Sequence, residues 1–154
     1  MNTSPGPLRP LRIAVAAVVL SLPLVFAVIV AAGLRFDEVE TLWLLLPTIL
    51  GAAGIVLLPA VGSTARPLPY LATEADARRA SAAALRTITV LRLALGETPA
   101  LFGLAISFVA GSLWPYAIGF CFSFPLLLWF AYPRAGVLDE IRSQLEASGA
   151  RSGL

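Results

Sequence analysis

The chain has 154 residues, 58% of them hydrophobic and 13% charged, with a mean hydropathy of +0.87. Soluble domains run near 45–50% apolar and about 25% charged, so this chain lacks the polar side chains to cover a globule. It reads as an integral membrane protein, and disorder, collagen and a disulfide scaffold are excluded by the same figures.

The residue inventory narrows the chemistry further. There is no His and no Lys, and all 11 basic residues are arginine. Imidazole metal sites, bis-His haem ligation and His general-base catalysis are therefore closed to this chain. So are Schiff-base chemistry and a phosphate loop of the lysine type. Cys121 stands alone and cannot form an internal disulfide. A net charge of +2 offers no pull toward nucleic acid. No metal ligands and no cofactor are implied.

Residues 1–12 form a short flank carrying Arg9 and Arg12, and 13–34 follow as 22 residues without a charge. About 20 apolar residues cross a ~30 Å hydrocarbon core, and a signal-peptide core is only ~7–15 residues long. The run is thus expected to be an uncleaved first span. Pro23 is tolerable within it, because neighbouring helices can satisfy the carbonyl it frees.

A short acidic loop, 35–40, leads to a second uncharged run at 41–62. Trp43 stands near its start, where interfacial aromatics collect. Gly51 and Gly54, with Ala52 and Ala53 between them, form a small-residue patch that suits close helix packing.

Residues 63–92 combine a proline-bearing loop with a charged helical extension. Thr73, Glu74 and Asp76 suit a helix start, since a hydroxyl caps and acids favour the positive end of the dipole. A third span is expected over 93–112, a tight turn over 113–116 and a fourth span over 117–132. In the tail 133–154, Val137, Leu138, Ile141 and Leu145 share one helical face. That spacing predicts a short amphipathic helix. The expected fold is an all-α, four-transmembrane-helix bundle with this helix at its C-terminal end.

Orientation follows from charge. Nine of the arginines fall in the N-terminal flank, the central loop with its extension, and the tail; Arg35 stands in the acidic loop and Arg92 at a span boundary. The positive-inside rule places both termini in the cytoplasm. The expected location is a bacterial inner (plasma) membrane, crossed several times.

Glu97 is the carboxylate set inside an otherwise apolar span. Counted from Ser112 at ~1.5 Å per residue, it lies about 7 Å inside the cytoplasmic boundary of a ~30 Å core. Arg92 falls at that boundary and is expected to snorkel. A carboxylate at Glu97 should be neutralised, paired or facing a wet cavity. It is therefore the proton or cation candidate, or alternatively a polar link to an arginine or a neighbouring helix. Gly96, Thr98 and Pro99 adjoin it, and Pro99 frees the carbonyl of Leu95, which favours a kink.

The stretch Ala94-Leu95-Gly96-Glu97-Thr98-Pro99-Ala100-Leu101-Phe102-Gly103-Leu104 resembles the carboxylate-bearing helix of the rotary ATP synthase proteolipid, the c-subunit. That family shows Ala-Leu-x-Glu-x-x-Ala-Leu/Ile-x-Gly-Leu after a basic cytoplasmic loop. The resemblance implies that Glu97 would bind the translocated proton or sodium ion. It covers one helix. The preceding span lacks the family's dense glycine repeat, the connecting loop is longer, and two spans flank the hairpin. The rest of the chain is similar to small bacterial four-span membrane proteins, a likeness that carries no mechanism.

The leading expectation is a non-enzymatic membrane subunit or scaffold. It would act by helix packing with a second copy or a membrane-complex partner, through the Gly51/Gly54 patch or the aromatic fourth span. The alternative is an oligomeric proton- or cation-handling protein using Glu97. An enzyme is not expected, because no Ser–His, Cys–His or metal cluster and no paired intramembrane carboxylates are present.

Overall fold

A computed structural model describes residues 8–62 and 74–131, together with Asp139, Arg142 and Ser143. The elements are α1 (Leu8–Ala31), α2 (Thr41–Gly62), α3 (Glu74–Ala110) and α4 (Trp114–Leu126), with α4 widening into a π-helical turn over Leu127–Ala131. The described residues form no strand beyond one isolated bridge, Arg35 to Ser112. Four helices are long and apolar enough to cross a membrane. Of the expected tail helix, Asp139, Arg142 and Ser143 are described and helical; its apolar face (Val137, Leu138, Ile141, Leu145) and the loop over 63–73 lie outside the described residues.

The helix boundaries have local causes. At the end of α1, Gly33 takes φ 93°, the left-handed conformation open to glycine without penalty. The Gly33 N–H then donates to the Val30 carbonyl and the Leu34 N–H to the Ile29 carbonyl, a Schellman cap. Gly111, at φ 66°, takes the same left-handed conformation just past the end of α3. The expected turn at 113–116 is shorter in fact, because Pro115 sits in the first turn of α4, where its missing N–H costs nothing. The fourth helix therefore starts at Trp114. Pro125 removes one rung of the ladder, and the π turn follows it.

The acidic loop and the 111–113 turn are stitched together. The Leu113 N–H donates to the Arg35 carbonyl at 2.8 Å, and the Ser112 hydroxyl donates to the Asp37 carbonyl at 2.8 Å. Phe36 meets Trp114 edge-on with ring centroids 4.9 Å apart. These contacts fix the α1–α2 loop beside the α3–α4 turn, so both lie at one end of the bundle.

Helices α3 and α4 form a close antiparallel pair, and α1 and α2 pack on opposite sides of α4. Phe122 and Leu126 face α2, at Gly51 and Gly54. Tyr116 and Phe120 face α1, where Phe26 packs on both rings. Residues 120 and 122 lie about 200° apart around a helix, which explains how one helix serves both neighbours. On α1 the buried positions Val15, Val19, Leu22 and Ile29 recur at helical spacing and join Ala100, Tyr116 and Leu127 in one core.

Candidate functional site

Glu97 lies near the middle of α3. Leu93, Ala100 and Leu104 at neighbouring helical positions belong to the core or pack against it. The spacing 93, 97, 100, 104 places Glu97 on the stripe that faces α1 and α4. It is half-buried. Among the described residues it makes no hydrogen bond or ion pair, so an arginine does not neutralise it there.

Arg92 departs from expectation. Instead of reaching for water it is 1% exposed, among the most deeply buried side chains described. Its Nη1 donates to the Phe130 carbonyl at 3.3 Å. The physical reason is direction. Arg92 lies one turn before Gly96, which packs on Leu127 at the end of α4, and about 140° around the helix from Glu97, so it points toward the end of α4. The last carbonyls of α4 carry the negative end of the helix dipole and need donors. A guanidinium that meets them in the interior gains more than one that merely reaches the boundary. Length along the helix says nothing of that heading.

Thr98 donates its hydroxyl to the Ala94 carbonyl at 2.7 Å, on its own helix. It therefore does not join Glu97 in a shared polar site. Pro99 is buried, and α3 runs on through it. The next residue uses its N–H across the pair: Ala100 donates to the Ser123 hydroxyl of α4 at 3.0 Å. Gly51 and Gly54 sit against α4 of the same chain. A Cβ on Gly51 would overlap the Phe122 ring, and one on Gly54 would stand 3.0 Å from Leu126 Cδ1. The small-residue patch thus lets α2 approach α4.

Three polar groups were passed over in the sequence. The Ser107 hydroxyl accepts from the Tyr116 N–H at 2.9 Å and so caps the first turn of α4. Ser123 holds Ala100, as above. The Tyr116 hydroxyl donates to the Leu22 carbonyl of α1 at 2.9 Å. A serine or tyrosine buried among apolar helices nearly always finds a partner, and that rule could have marked all three. The bonds of Ser107 and of the Tyr116 hydroxyl sit toward the end that carries the 35–40 loop, the Ser123–Ala100 bond lies near the middle of the α3/α4 pair, and Arg92 closes the other end.

Among the described residues no group of three or more His, Cys, Asp and Glu side chains could hold a metal ion. A groove of about 780 Å³ opens between the start of α1 and residues 82–90 of α3. It is lined by Leu11, Ala14, Leu85, Arg86, Thr87 and Val90, with two alanines. Compared with protein-family models, curated proteins and solved structures, the chain matches none.

Proposed function

We propose that the chain is a multi-pass protein of a bacterial inner (plasma) membrane, with both termini cytoplasmic, acting as a non-enzymatic membrane subunit. It works by packing its helices against a second copy or another membrane subunit. The observation that supports this reading is the uneven burial of the spans. In α1 and α2 only 22% of the apolar window is buried within the chain, against 33% in α3 and 39% in α4. Leu20, Leu24 and Val28 form an exposed apolar stripe on α1, and Leu42, Ile49 and Val56 form one on α2. The interior polar groups hold helices together, as a scaffold requires. In mild detergent the protein is expected to run as a discrete assembly or with a co-purifying membrane protein, and Leu24→Trp should disperse it. A monomer at every concentration, with nothing co-purifying, refutes the proposal.

A second reading rests on Glu97. Its half-buried place facing α1 and α4, with Arg92 turned to Phe130, supports a proton or cation site, as the likeness to the proteolipid helix implies. In liposomes Glu97→Gln should leave the fold intact and abolish proton or sodium flux, and carbodiimide should label Glu97. Equal flux in wild type and variant removes this role.

A further inference from the structure

We propose that the groove between the start of α1 and residues 82–90 of α3 binds one anionic phospholipid, its phosphate on Arg86 and Thr87 and an acyl chain along Leu11, Ala14 and Val90. This rests on the membrane reading above. Depth is the first argument. Val90 lies 22 residues before Ser112 and Arg86 lies 26 before it, or about 33 and 39 Å along the helix. With Ser112 at the outer edge of a ~30 Å hydrocarbon core and a headgroup layer of ~5–7 Å on each side, Val90 stands just past the inner acyl boundary and Arg86 at the outer edge of the headgroup layer, from which its long side chain reaches the phosphates.

Chemistry is the second argument. The groove pairs a polar rim, Arg86 and Thr87, with apolar walls, as an amphiphile requires. A guanidinium stays charged and presents a planar fork that fits phosphate oxygens in pairs. Among the described residues no carboxylate lines the groove, and Arg86 has no ion pair or hydrogen bond. Arg79, by contrast, stands 3.9 Å from Asp76, and Arg92 serves Phe130. Arg86 is thus a cation within reach of the phosphates, beside an apolar slot, and no described residue supplies its counter-anion. A free phosphate would use the rim and leave the walls bare, so the occupant is a lipid. A volume of about 780 Å³ falls in the usual range for a ligand pocket, ~300–1,000 Å³.

The test uses the full chain in mild detergent, offered equal amounts of phosphatidylglycerol and phosphatidylcholine, with bound lipid read by native mass spectrometry. The wild type should retain one phosphatidylglycerol with about fivefold preference, the effect of one arginine near the surface. Arg86→Gln should lower retention to the phosphatidylcholine level. Ala14→Phe, which fills the slot, should lose the lipid, while Arg79→Gln should keep it; circular dichroism should show all variants helical. Equal retention of the two lipids by wild type, or undiminished phosphatidylglycerol on Arg86→Gln, overturns the proposal. So does displacement by excess inorganic phosphate, which marks a site for free phosphate. A cross-link from Ala83→Cys, in a Cys121→Ser background, to the chain's own 63–73 segment would make that segment the occupant and overturn it too. Should the chain purify without detergent, the membrane reading itself fails; lipid indifference in a detergent-requiring chain refutes this site alone.

Discussion

Arg92 of α3 donates to the carbonyl of Phe130, 38 residues along the chain and 3.3 Å away, and so fastens the π-helical end of α4 to α3. At the opposite end of the same helix pair the Ser107 hydroxyl holds the Tyr116 N–H, and between them Ser123 holds Ala100. The two helices are thus joined by polar contacts at both ends and the middle, where apolar packing alone would leave sliding along the axis unopposed.

The Arg92 contact should be measurable as stability. Arg92→Ala removes a charged donor from a buried carbonyl, an interaction worth about 1.5–3 kcal/mol. Arg92→Met should cost less than Arg92→Ala, because it refills the volume and removes a buried charge. Denaturation of the full chain in bicelles gives both numbers. Wild-type stability in Arg92→Ala would show that the guanidinium does not fasten α4.

Close approach gives a prediction with two signs. A Cβ on Gly119 would collide with the Pro99 carbonyl and stand 3.0 Å from the Ala100 Cα, all backbone. Gly119→Ala must therefore push α3 and α4 apart, at a cost of about 1–3 kcal/mol. Gly54→Ala meets only the tip of the Leu126 side chain, 3.0 Å away, which can rotate. There the gain in helix propensity, up to ~1 kcal/mol, should leave stability unchanged or raised. Melting both variants in the same detergent decides it, and equal losses would refute the packing described.

Four long apolar helices were legible as uncharged runs, and 13–34 and 41–62 overlap α1 and α2 to within about five residues at each end. The small-residue patch at Gly51 and Gly54 was legible as a close-packing face. Its neighbour was not, because residue size says nothing about which helix arrives. The heading of Arg92 toward Phe130 was not legible, since a residue count fixes rise along the helix and leaves unstated what stands across it. Ser107 and Ser123 gave only the weak signal of a hydroxyl in an apolar run. The groove at Arg86 needs two helices to diverge, and one sequence carries no record of that.

Glu97 yields a stability prediction independent of any transport role. Among the described residues it has no ionic or hydrogen-bonding partner, so its charge gains nothing from the fold. Glu97→Gln should therefore be as stable as the wild type or more so, and Glu97→Leu more stable still, because a half-buried polar group is removed. A loss beyond ~1 kcal/mol in Glu97→Gln, the scale of a typical hydrogen bond, would reveal a partner that holds the carboxylate. Bicelle denaturation again supplies the measurement.

The loop staple predicts a local effect. Ser112→Ala removes the hydroxyl that reaches the Asp37 carbonyl, a bond worth about 1 kcal/mol. That contact and the Leu113 N–H to Arg35 are the hydrogen bonds that tie 35–40 to the turn; the same hydroxyl accepts from the Trp114 N–H at 3.5 Å, so its loss should free the loop and at most the first turn of α4, leaving the middle of the helices intact. Hydrogen exchange should quicken over residues 34–40, about fivefold for ~1 kcal/mol, with Leu93–Leu104 unchanged. The Phe36–Trp114 ring contact should hold the residual order, and Trp114→Ala added to Ser112→Ala should release the loop further. Exchange that rises equally in loop and core would mean that the loop has no separate opening and that the staple supports the whole bundle.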